Sequence, residues 1–174
     1  MFKKIFLIII TVLLVKITVS AQEQEYLLKA AFLEKFCRFT EWEKGTIDRS
    51  DYFYIAVYQT ENISEVLRSV FTDLQIKGKA VKVIAVDELS QLEVNPHLIF
   101  IPKNKPSKID KIIKYSQENN VLLVGDDENY GKLGVHISFY ITDEGTLHFI
   151  INLESIKESH LRLNLMLIEI AKII

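Results

Sequence analysis

Apolar residues recur at spacings of three and four through Leu28, Ala31, Phe32, Phe36 and Phe39, which predicts an amphipathic helix from Glu25 to Glu41. Ala30, Leu33 and Cys37 form a second strip on the same wheel, so the helix is expected to bury two sides. Lys35 falls inside the aromatic stripe, where its stem can lie flat and its ammonium reach water. Beyond Gly45 the pattern changes to short continuous apolar runs: Tyr52–Tyr58, Val81–Val86, Leu98–Ile101 and Val121–Val124. Between them lie helical patterns, Ile63–Phe71 capped by Asn62, a turn over Asp87–Leu92, and a helix from the Ser107 cap to about Asn119 with Ile109, Ile112 and Ile113 inward. Unalternated strands separated by helices require cover on both faces. The expected fold is therefore an α/β three-layer sandwich, with helices on both faces of a mostly parallel central sheet of about six strands.

From Val135 the pattern alternates strictly, predicting a C-terminal antiparallel hairpin. A three-residue turn, Asp143-Glu144-Gly145, sets Ile141 opposite Leu147, Phe139 opposite Phe149 and Ile137 opposite Ile151. A two-residue turn would put the apolar faces on opposite sides, so the longer turn is required, with Gly145 left-handed. The end of the chain reads as a short helix after Asn152, a break near Ser159-His160, and a final helix from Leu161 to Ile174 that is apolar nearly all round. Docking against the sheet and packing in a dimer interface both satisfy such a helix.

The N-terminus changes where this domain is expected to work. Lys3 and Lys4 precede an apolar run, Ile5–Val15, and Ser20-Ala21 follow. That order predicts a signal peptide over residues 1–21, cleaved near Ala21, and a single exported domain over 22–174. Lys16 stops the run well short of the ~20 residues that a spanning helix needs. The chain carries 21 Lys and Arg against 23 Asp and Glu, and cleavage removes three lysines, so nothing in its charge invites nucleic acid. Cys37 is the sole cysteine, which excludes an intrachain disulfide; it is expected to be buried as a small apolar group.

No catalytic constellation can be assembled around these features. In the hairpin register His136 faces Asn152 and His148 faces Tyr140, placing the two imidazoles roughly 13 Å apart, too far to share a metal. Nothing local sets a base beside Cys37. Asp126 and Asp127 follow a strand at the carboxyl end of the sheet, where α/β folds seat ligands, with Tyr130 in the same loop. They are read either as a ligand cleft or as a turn. Gly131 and Gly134 precede a strand rather than a helix, so they are read as turn residues and not as a phosphate loop. The Asn62-Ile63-Ser64 sequon is by itself uninformative.

Two blocks carry a resemblance. Lys29-Ala-Ala-Phe-Leu33, Phe36, Arg38-Phe39 and Glu41-Trp42 resemble the "KAAFLYNFARFVEW" opening of the YfiR-like family of periplasmic proteins. Gly134, Phe139, Phe149, Ile151-Asn152-Leu153, Leu161-Arg162 and Leu167 to Ala171 resemble its last hairpin and helices. The likeness implies an exported, non-enzymatic and often dimeric regulator; no cofactor or metal is expected. Such a protein restrains a membrane-bound diguanylate cyclase through its extracytoplasmic region, and so cyclic di-GMP signalling and biofilm formation. The alternative is a small-molecule-binding sensory protein acting with a sensor histidine kinase. Arg38, Glu41 and Trp42 at the helix exit, and Asp126, Asp127 and Tyr130 beyond the fourth strand, are the candidate partner- or ligand-binding residues. The chain departs from the family around Asn164-Leu165, where a pair of serines is usual, and at Lys35.

Overall fold

A computed structural model describes residues 22–59, 61–103 and 108–174; the predicted signal peptide and the Ser107 cap lie outside the described residues. Helix α1 covers residues 22–39 and runs directly into β1 (Thr40–Glu41). There follow β2 (Phe53–Tyr58), α2 (Glu61–Phe71), β3 (Gln75–Ile76), β4 (Lys79–Val86), β5 (Leu98–Ile101), α3 (Ile109–Asn119), β6 (Leu122–Gly125) and α4 (Asn129–Leu133). The chain ends with β7 (Ile137–Ile141), β8 (Leu147–Ile151), α5 (Leu153–Glu158), β9 (Arg162–Leu163), α6 (Leu165–Glu169) and β10 (Lys172–Ile173).

Eight strands form one sheet in the order β10-β8-β7-β6-β5-β2-β4-β3, while β1 and β9 make a separate antiparallel ribbon. The centre, β7-β6-β5-β2-β4, is parallel throughout. Strand β2 shows how one run serves two cores: Phe53, Ile55 and Val57 face α1 and α2, whereas Ala56 and Tyr58 face α3 and α4. The hairpin takes the predicted register, Ile141 on Leu147, Phe139 on Phe149 and Ile137 on Ile151, with Gly145 at φ 79°. Cys37 is fully buried, and burial pushes its thiol far above the ordinary range, where it stays unreactive.

Several expectations need correction. Gly131, read as a turn residue, lies within the short helix α4, whose C-cap is Gly134. The sheet has eight strands rather than about six, because the two-residue strands β3 and β10 are too short to show a period. Asn62 does not cap α2 but lies within it. The final helix from Leu161 is replaced by β9, the five-residue α6 and β10. Asn164 makes the break: its N–H donates to the Phe39 carbonyl at 2.8 Å and its side chain accepts from Met166 N–H at 2.9 Å. β9 is claimed by β1 and β10 by β8, and an apolar run takes the structure its hydrogen-bond partners impose.

Helix α1 is also rotated from its predicted seat. Its innermost line is Lys29, Ala30, Leu33, Phe36 and Cys37, continued by Thr40 of β1, while Leu28 is nearly half exposed and Ala31 and Lys35 face outward. Phe32 and Phe36 still close on Phe139 and Phe149, with ring centroids 4.9 to 5.9 Å apart. Lys29, which hydropathy would place outside, sets the rotation, because an acidic partner waits for it inside the fold.

Candidate functional site

That partner is Asp126, immediately after β6. The Lys29 ammonium, 1 % exposed, lies 2.7 and 2.8 Å from its two carboxylate oxygens and also binds Glu25 one turn back on α1. Burial raises the Asp126 carboxyl above the usual aspartate range, opposed by Lys29. Asp126 is neither in a solvated turn nor open to a ligand; the chain supplies its own cation. Asp127 turns away and accepts from the N–H and Nδ2 of Asn129, both at 3.0 Å. Tyr130 is buried, donates its hydroxyl to the Pro102 carbonyl at 3.0 Å and packs over Gly125, where an added Cβ would stand 2.7 Å from the ring. Of these three residues Asp127 alone lines the shallow cavity of about 390 Å3 here, with Lys103, Glu128 and the end of β7.

The other three candidates also divide. Arg38 is exposed, pairs with Glu34 at 2.7 Å, and offers its carbonyl to Lys77 at 2.9 Å. Glu41 and Trp42, unlike Arg38, line a groove of about 860 Å3. The β1-β9 ribbon builds it by placing Glu41 across from Arg162. Glu41, Glu43, Lys44, Lys157, His160 and Arg162 give the lining its polar groups, and Trp42, Ile156, Leu161, Leu163 and Ile168 its apolar surface. Polar and apolar groups side by side suit a peptide or protein surface. Lys157 and His160 carried no signal in the sequence, since only pairing across some 120 residues brings them to Trp42.

Behind Trp42 lies the ring of His97, whose role no local pattern in the sequence signals. His97 is stacked on Phe53 at 4.5 Å, and Trp42 meets Phe53 and His97 edge-on at 5.5 and 6.4 Å. Its Nδ1 accepts the Tyr54 N–H at 3.0 Å, which fixes the neutral ring with its proton on Nε2. Burial, then Lys79, lowers it to about 4. His136 accepts the Leu123 N–H in the same way at 3.1 Å and is lowered by burial to about 4. The Trp42 Nε1–H is buried without an acceptor, at a cost of about 1–3 kcal/mol.

The chain belongs to the YfiR/HmsC-like family, whose pattern matches residues 26–172. That is a family of periplasmic regulators in cyclic di-GMP signalling. Among proteins of curated function none matches the sequence significantly. Two solved structures share the fold. A conserved domain protein from Vibrio cholerae O1 biovar El Tor has a TM-score of 0.53 at 11% identity, over 70% of this chain and 54% of that one. The ABC domain from Streptococcus pneumonia, solved in complex with L-Trp, has a TM-score of 0.53 at 13% identity, over 81% and 61%. The chain thus spans little more than half of either, and the likeness concerns the fold alone. Among the described residues, no helix is long and apolar enough to cross a membrane.

Proposed function

We propose, with the YfiR/HmsC-like family as premise, that the protein is an exported non-enzymatic regulator that binds the extracytoplasmic region of a membrane sensor. The sensor is a diguanylate cyclase, which the regulator restrains. One observation carries the choice of surface: the two family-like blocks of sequence meet in the groove, where Glu41-Trp42 stands against Leu161-Arg162. Glu41 and Trp42 contact the partner, and Arg38 lies outside the groove on a separate exposed face of α1. Restraint follows from binding one of the partner's two states more tightly than the other, since equal affinity for both shifts nothing.

Photocrosslinkers placed in intact cells at Glu41 and Lys157, with one at Lys114 on α3 as control, test the reading. Capture of a membrane cyclase from the groove positions alone supports it. Cyclic di-GMP left at wild-type levels after deletion of the gene would contradict restraint of a cyclase.

A second reading uses the smaller cavity. Lys103, Asp127 and Glu128 beside Phe139 and Tyr140 give charge and aromatic surface together, which suits a small polar molecule and a histidine-kinase partner. Thermal-shift screening that finds a ligand, with the shift lost in Asp127→Ala, would favour it.

A further inference from the structure

Trp42 is one wall of the groove, and a histidine rather than hydrocarbon stands behind it. His97, 3 % exposed, follows Pro96 at the head of β5 and ties that point to β2 through Tyr54. No hydrogen bond fixes the indole, because its Nε1–H lacks an acceptor; the shape of the pile alone holds Trp42. A proton on Nδ1 would set a donor against the Tyr54 N–H and a positive charge under Phe53 and Trp42. The groups packed around the ring offer that charge little support. On β4 it faces Lys79, itself bound to the Ser50 carbonyl. On β2 its neighbours are Phe53 and Tyr54, and beyond β1 it meets Trp42; Glu43, next along the chain, accepts from Asn120 at 3.4 Å.

We propose that His97 is an acid sensor for the groove: on taking a proton at Nδ1 it breaks from Tyr54, unseats Phe53 and Trp42, and loosens the wall the partner contacts. Burial and Lys79 place the event below the free imidazole range, towards pH 4. A compartment open to the surroundings through its outer boundary would let such acid reach the ring. The link to regulation rests on the groove being the partner surface, whereas release of Trp42 is measurable without a partner.

Trp42 is the chain's single tryptophan, so its emission reports on this wall alone. Acidification should shift its emission to the red and raise acrylamide quenching while the far-ultraviolet circular dichroism stays native. Uptake of one proton makes the opening constant rise about tenfold per pH unit below the free imidazole value. His97→Gln, which can still accept the Tyr54 N–H but does not titrate, should hold the neutral-pH emission throughout; His136→Gln should keep the transition.

If His97→Gln fails to fold, NMR titration of the His97 ring in the wild-type protein takes its place and must coincide with the Trp42 change. The proposal is overturned if the transition survives in His97→Gln, if the His97 titration and the Trp42 change separate, or if Trp42 responds only as the dichroism collapses. Failure to crosslink a partner at neutral pH, with the Trp42 transition intact, removes the choice of surface and the link to regulation but not the switch.

Discussion

The middle of α1 and the segment beyond its exit are held by opposite chemistry, and they answer acid with opposite sign. At mid-helix, Lys29 anchors α1 to Asp126 through a buried ion pair; beyond the exit, Trp42 leans on an uncharged pile of Phe53 and His97. Asp126 has a raised carboxyl, so its contribution to stability is present at low pH and falls as the pH rises through its folded value. His97 and His136 are depressed to about 4 from 6.5, so theirs is complete above 6.5 and is lost as the pH falls towards 4. Acid therefore loosens the groove wall beyond the helix and spares the seat of Lys29. A buried charge pair fixes position, whereas a neutral pile that hides an imidazole can be undone by one proton.

The largest expected effect tests that opposition. Each histidine should contribute about 3 kcal/mol between the two values, so urea unfolding should show a steep loss of stability on acidification. The double variant His97→Gln/His136→Gln should show a much flatter dependence. If instead its slope matches the wild type, the carboxylates govern acid stability and the comparison breaks.

Removing one member of the anchor comes next. Lys29→Met leaves Asp126 buried without its cation and should cost about 3–5 kcal/mol. The pair Lys29→Met/Asp126→Leu should return to within about 1 kcal/mol of the wild type, because burying both charges repays little. Equal losses in the single and double variants would show that Asp126 is stabilised by something other than Lys29.

Gly125→Ala then probes the packing beside the anchor: Tyr130 must give way to the new Cβ, at about 1–3 kcal/mol in the same unfolding experiment. Arg38→Ala is the smallest. Its pair with Glu34 is exposed, so thermal unfolding should register less than about 0.5 kcal/mol, and partner capture through the groove should be unchanged.

Much of the fold was legible because it follows from periodicity. Ile137, Phe139 and Ile141 alternate with polar residues, so the hairpin register was readable to the residue, and the bounds of β5 were read without error. Cys37 had no chemical partner, and burial followed. The candidate site was half legible. Glu41 and Trp42 stand out by type and by resemblance, but the approach of Lys157, His160 and Arg162 to them depends on a ribbon of two-residue strands, too short to carry a period. The role of His97 carries no signal in the sequence, because nothing local says that Tyr54 donates to it or that Trp42 leans on it.

The sequence by itself determined the order of the main helices and strands up to the hairpin, the two-sided burial of the sheet and the likeness to a family of exported regulators. Those features depend on which neighbours along the chain are apolar and at what spacing. The tertiary structure alone decided that Lys29 turns inward, that the last apolar run breaks at Asn164 into strand, helix and strand, and that an imidazole lies behind the groove. Each involves polar groups far apart in the chain, Lys29 and Asp126, Asn164 and Phe39, His97 and Tyr54. Hydropathy scores such groups as surface, and only a partner brought close by folding makes their burial tolerable.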